Sequence, residues 1–179
     1  MALALHAGVS VTAVSLADVY RETFHHVWCT LRRLGVPERD LEDAVHEVFL
    51  VVHRRLGDYD PSRPVKPWVT GIAYRVASDD RRRAHRRREV MGETDEPRDG
   101  QPAPDVALEG AEARNRVAVA LHTLPLEQRV VFVMHDIDGF AMPDIARELS
   151  APLNTLYSRL RLARARFEAA IRGDGHGPA

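Results

Sequence analysis

The sequence predicts an all-α chain, built as two small helical domains joined by a flexible acidic linker. Two observations carry that expectation. Apolar residues recur at spacings of three and four through Leu16–Leu34, Glu38–Leu56, the stretch from Trp68, and the stretch from Arg114 to Arg172, which is the period of helices with one buried stripe. Between these blocks, residues 89–113 hold Gly92, Pro97, Gly100, Pro102, Pro104 and Gly110, with eight acidic side chains against Arg98, a linker composition. The division is an N-terminal extension at 1–15, a first domain at 16–90, the linker at 91–113, a second domain at 114–172 and a tail at 173–179.

In the first helix, Val19, Tyr20, Phe24, Val27, Trp28 and Leu31 keep helical spacing, and Gly35-Val36-Pro37 ends it. His25 and His26 are adjacent and so point about 100° apart, which suits surface or half-buried histidines better than a shared metal. The second helix turns Leu41, Val45, Val48, Val52 and Leu56 inward. Asp43, His46, Glu47 and Leu50 share its other side, an acidic face with an exposed apolar residue. That face is either a solvated surface or a docking site for a basic partner.

The stretch from Asp58 to Pro67 has three prolines in seven residues and reads as a loop. Trp68 then opens a third helix that packs through Trp68, Ile72, Ala73 and Val76 and carries Tyr74, Arg75, Asp79 and the run Arg81-Arg-Arg-Ala-His-Arg-Arg-Arg88. Aromatic rings beside so many guanidinium groups suit single-stranded nucleic acid, because rings stack on unpaired bases while cations follow phosphates. Trp68 itself fits the core better than a stacking platform.

The second domain begins with a helix through Val117, Ala120 and Leu121, which Leu124-Pro125 breaks. An apolar helix from Leu126 to Ile137 follows, closed by Asp138-Gly139. A short pattern (Met142, Ile145, Ala146, Leu149), a turn at Ser150–Leu153 and a basic helix from Asn154 to Arg172 complete it. Leu156, Leu160, Ala163, Phe167 and Ala170 form the buried stripe of that last helix. Thr155, Tyr157, Ser158, Arg161 and Arg164 lie away from it, and five arginines against Glu168 make the stretch locally basic. Helix, tight turn and basic helix is the order of a helix-turn-helix DNA reader, and equally of an arginine-rich hairpin with a solvated face.

A net charge of -1 therefore hides two basic zones separated by an acidic one. The single cysteine, Cys29, cannot close an internal disulfide, no basic n-region precedes the apolar start at Met1–Leu5, and no apolar run reaches membrane-spanning length. The expectation is a soluble, cytoplasmic protein. No phosphate-cradling glycine loop, zinc-ligand spacing or nucleophile elbow is present, so the expected function is binding without a cofactor or metal, not catalysis.

Over residues 16–90 and 114–172 the chain resembles the extracytoplasmic-function (group IV) sigma factors of bacterial RNA polymerase, within the sigma-70 superfamily. Leu41-Glu-Asp-Ala-Val-His-Glu-Val-Phe49, the Tyr59-Asp60-Pro61 loop, Trp68-Val-x-x-Ile72-Ala73, Asp79 and the arginine run are similar to region 2. Leu121-x-x-Leu124-Pro125-x-x-x-Arg129, Asp144-Ile145-Ala146 and Thr155-Leu-Tyr-Ser-Arg-Leu160 leading to Ala163-Arg164 are similar to region 4. The resemblance implies an initiation factor that binds core RNA polymerase and directs it to specific promoters. Asp43, His46, Glu47 and Leu50 would meet the polymerase. Tyr59, Lys66, Trp68, Tyr74, Arg75, Arg81, Arg82 and Arg83 would read and open the single-stranded -10 element.

Tyr157, Ser158 and Arg161 would face base edges of the duplex -35 element, while Thr155, Arg159 and Arg164 would meet phosphates or pack locally. His46 stands where the family has glutamine, Arg75 where it has asparagine, Tyr157 where a basic residue is frequent and Asn154 where glycine is frequent. An anti-sigma factor commonly covers these surfaces in the family. The alternatives are a stand-alone helix-turn-helix regulator, which leaves residues 41–88 without a purpose, and a promoter-inactive adaptor that sequesters a partner.

Overall fold

The computed structural model describes the backbone of residues 14–91 and 108–173 and the side chains of 14–87 and 113–173; most of the expected N-terminal extension, most of the linker and nearly all of the tail lie outside the described residues. Among the described residues every regular element is helical. Helix α1 spans Leu16–Leu34. Ser15 caps its start by accepting from the Asp18 N–H at 3.2 Å, and Gly35, at φ 93°, ends it. The Val36 N–H returns to the Leu31 carbonyl at 3.0 Å, closing the last turn in the left-handed conformation that glycine adopts without strain.

Helix α2 spans Leu41–Arg55, with 3₁₀ turns at Glu38–Asp40 and Leu56–Asp58. Helix α3 spans Val65–Met91 and begins three residues before the expected Trp68. Pro67 does not prevent this, because in the first turn its missing N–H has no intrahelical partner to lose.

The second domain holds α4 (Leu108–His122), α5 (Leu126–Phe132), α6 (Met142–Leu149) and α7 (Leu153–Gly173). Two expectations are corrected here. The end of the expected linker is already helical from Leu108. The helix expected from Leu126 to Ile137 is α-helical only to Phe132 and finishes as a π-helical turn at Val133–Ile137. Val133 and Met134 stay buried through that wider turn, so the apolar pattern reads the same in either geometry. The turn closes with the Asp138 N–H on the Val133 carbonyl and the Phe140 N–H on the Met134 carbonyl, both at 2.9 Å. Ser150, at φ 52°, ends α6 and sets the tight turn into α7.

Helices α1, α2 and α3 pack on one another around Val27, Leu31, Leu41, Val48, Val52, Val69 and Ile72. In the second domain α7 lies across α4, α5 and α6, burying Leu121, Val130, Met134, Ile145, Leu156 and Leu160. The two domains also meet, α3 against α6 and α1 against α4 and α5, so their buried residues form one continuous cluster. A chain this short split into separate halves would have two modest cores, and apposition extends both.

Candidate protein- and nucleic-acid-binding surfaces

The first surface is the outer side of α2. Asp43, His46 and Leu50 are exposed there and Glu47 is half-buried, at the three- and four-residue spacing that keeps them on one helix side. Leu50 is 41% exposed, a large apolar group with no core to join. Glu47 accepts from Arg54 Nη2 at 3.3 Å, a partly exposed pair that contributes no more than about 1 kcal/mol and can be given up for a partner.

Beside this surface Tyr20, assigned by its spacing to the packing stripe of α1, is 45% exposed. Its ring leans on Phe24 and Phe49, with centroids 5.2 and 4.6 Å apart, and adds an aromatic edge to the acidic side. Phe49 was not among the expected core residues and is buried.

The second surface is built by the 59–64 loop and α3. Asp60 organises the loop, its Oδ1 accepting from the Ser62 N–H and hydroxyl and its Oδ2 meeting Arg63 at 2.9 Å. Those bonds, Ser62's first, hold the Asp60 carboxyl below its usual range. The Tyr59 hydroxyl donates to the Arg63 carbonyl, and its ring lies 4.7 Å from that of Trp68 at 30°.

Trp68 is buried at 8% exposure. In this conformation it supports Tyr59 from the core, the place its spacing suggested. Lys66 and Arg81, Arg82 and Arg83 are exposed, Arg82 near Asp79 and Arg83 on Asp80 at 3.1 Å. Tyr74 is half-buried, and burial pushes its hydroxyl pKa up. Arg75 is exposed but held by backbone: Nη2 donates to the Glu148 carbonyl at 2.7 Å and Nη1 to the Gly71 carbonyl at 3.2 Å.

The third surface is the outer side of α7. Thr155, Tyr157, Ser158 and Arg161 are exposed, Tyr157 by 55%. Arg159 is turned inward to Glu127 of α5. Arg164 grips Asp136 with Nε and Nη2 at 2.7 and 2.6 Å, and that pairing raises its own pKa. Local packing, one of the two uses expected for these arginines, is what this conformation shows.

The interdomain residues had no place in the sequence-based site. Arg33 Nη1 meets Asp138 Oδ1 at 3.0 Å, Arg129 Nη1 donates to the Leu34 carbonyl at 2.9 Å, and His26 shares a 2.8 Å hydrogen bond with Thr70 under Phe140. Arg129 alone carried a signal, as the basic residue ending the Leu-Pro-x-x-x-Arg pattern; nothing in periodicity pairs residues so far apart in the chain. No helix among the described residues is long and apolar enough to cross a membrane.

Known proteins match along both halves. The family described as Sigma-70 region 2 matches residues 19–87, and the family described as Sigma-70, region 4 matches residues 114–167. The ECF RNA polymerase sigma factor SigM of Mycobacterium tuberculosis is 33% identical over 165 residues, covering 91% of this chain and 80% of that protein. The RNA polymerase sigma factor CnrH of Cupriavidus metallidurans is 27% identical over 155 residues, covering 80% and 79%.

Among solved structures, the sigma factor RpoE of Bartonella quintana, in complex with the anti-sigma factor NepR, superposes with a TM-score of 0.69 at 20% identity, covering 87% of this chain and 97% of that one; at that identity it speaks for the fold alone. CnrH in complex with the cytosolic domain of CnrY gives a TM-score of 0.62 at 25% identity, covering 89% and 88%.

Proposed function

The chain belongs to the sigma-70 family, in its extracytoplasmic-function branch, and on that premise we propose that it carries core RNA polymerase to promoters whose -35 element is read by α7 and whose -10 element is read and opened by α3. Sigma factors are non-catalytic transcription factors, and bond-making belongs to the polymerase. The observation that carries the proposal is the occurrence, in one chain, of an exposed acidic-apolar side on α2, a cationic α3 and an exposed basic side on α7, in the order of the two matched regions.

Asp43, His46, Glu47 and Leu50 form the polymerase contact, with Leu50 as the apolar centre and the carboxylates steering a basic partner. On α7, Tyr157, Ser158 and Arg161 turn to base edges in the major groove, and Thr155, Arg159 and Arg164 lie towards the backbone, the two arginines after leaving their acidic partners. Opening the -10 element costs stacking and pairing energy. Tyr59 and Tyr74 offset it by stacking on extruded bases, and Lys66, Arg75 and Arg81–Arg83 by neutralising phosphates of the displaced strand. The CnrH complex with the cytosolic domain of CnrY supports a further protein partner for this chain, and an anti-sigma factor is the one its family implies.

The test is binding of the full chain to purified core polymerase. The wild type co-migrates with core, and Glu47→Lys weakens the complex roughly tenfold or more, the equivalent of ~1.4 kcal/mol, while helical content is unchanged. Equal affinity for wild type and variant removes α2 from the interface, and absence of any complex removes the proposal.

A further inference from the structure

Leu162 is a large apolar side chain on a helix side otherwise rich in polar and cationic groups. It is 40% exposed, outside the buried stripe of α7 and apart from the core. Single exposed leucines are ordinary on protein surfaces, so exposure alone assigns it nothing. Its place on α7 does.

Two flanks bound the outward side of that helix. On one, Arg164 is tied to Asp136; on the other, Arg159 reaches Glu127 and Arg166 donates to Gln128 at 3.0 Å. Between the flanks Ser158, Arg161, Leu162 and Ala165 are exposed. Ser158 and Leu162 stand one turn apart on the same line. Arg161 points about 100° away from Leu162, and Ala165, three residues after Leu162 and four after Arg161, lies between them. The outward side therefore carries a guanidinium along one edge and an apolar group along the other, with a small residue separating the two.

The major groove offers one apolar group at a base edge, the 5-methyl of thymine; the remaining base-edge groups are hydrogen-bond donors and acceptors. A leucine pressed against a donor or acceptor strips its water and returns no hydrogen bond, whereas against a methyl group both surfaces lose water favourably. We propose that Leu162 is a specificity-determining residue that selects thymine at one position of the -35 element through its 5-methyl group. The inference rests on the -35 reading by α7 proposed above and names base chemistry which that reading leaves open. Arg161 supplies the complementary half of the readout, its paired donors meeting acceptors of a neighbouring base pair.

The experiment removes the methyl group and the leucine separately. The core polymerase complex of the full chain captures duplex promoter fragments from the protein's own genome in which the -35 window is randomised. The pool is copied either with thymidine triphosphate or with deoxyuridine triphosphate in its place. Sequencing of bound and input fragments gives the base preference at each position for the parent, Leu162→Ala and Leu162→Met. The parent enriches thymine about fourfold at one position, the effect of one buried methyl group, and the deoxyuridine pool loses that preference. Leu162→Ala loses it in the thymidine pool, with helical content and the other positions unchanged. Leu162→Met, which keeps an apolar group of similar reach, retains it.

A thymine preference that is unchanged in Leu162→Ala at every position, or that the deoxyuridine pool retains in full, overturns the assignment. So does a parent that selects bases at other positions but thymine at none. A parent that selects no base anywhere in the window overturns the -35 reading by α7, and the inference with it.

Discussion

His26 shows how much a single residue can hold that a sequence does not display. Its spacing placed it on a helix, surface or half-buried, and the structure makes it a joint between α1, α3 and the 138–141 turn. Burial first, and then the positive neighbours Lys66, Arg33 and His25, push its pKa down from the usual 6.5 to about 4. The unfolded chain takes up this proton before the folded one, so the stability tied to neutral His26 is present above about pH 6.5 and is lost as the pH falls towards about 4.

Asp138, raised by burial, works in the opposite sense at the acid end of that range. Urea unfolding at pH 7 and pH 5 isolates the histidine: the wild type loses more stability between the two than His26→Gln does. Parallel losses would contradict the assignment. Arg129 was legible only as a motif position; its burial against the Leu34, His122 and Leu124 carbonyls depends on packing between helices that no local pattern encodes.

At the scale of elements, helix existence was legible because each helix buries one stripe. Leu16–Leu34 came out with its expected ends since Ser15 and Gly35 are strong local signals. The errors fall where local rules are permissive. Proline is tolerated in a first turn, which let α3 start at Val65, and an apolar run does not distinguish α from π geometry, which hid the turn at Val133–Ile137.

On α7 periodicity puts Arg161 and Arg164 alike outside the buried stripe, and only the family resemblance set Arg161 towards base edges and left Arg164 between phosphate contact and local packing. The structure separates them by giving Arg164 two bonds to Asp136. In the polymerase complex on a cognate promoter fragment at fixed salt, Arg161→Ala weakens binding by about 1–3 kcal/mol with a change in sequence preference. Arg164→Ala has the smaller effect, uniform across sequences, because its contact is to the backbone and its release from Asp136 offsets part of the gain. The reverse ranking would move the reading face around the helix.

At the scale of the molecule, the two-domain plan and the segregation of charge were legible from composition alone, and the order of the surfaces from the motifs. Their spatial relation was not. The contacts that bring α3 to α6 and α1 to α5 involve two glycines, two backbone carbonyls and three arginines, residue types that a sequence scatters everywhere.

The central claim is that the chain acts through polymerase, and run-off transcription tests it most directly: core enzyme free of other sigma factors, the full chain, and promoter fragments from the protein's own genome. A discrete transcript that requires both core and this chain is the predicted result. No transcript from any such promoter, with specific duplex binding by the chain alone, would contradict it.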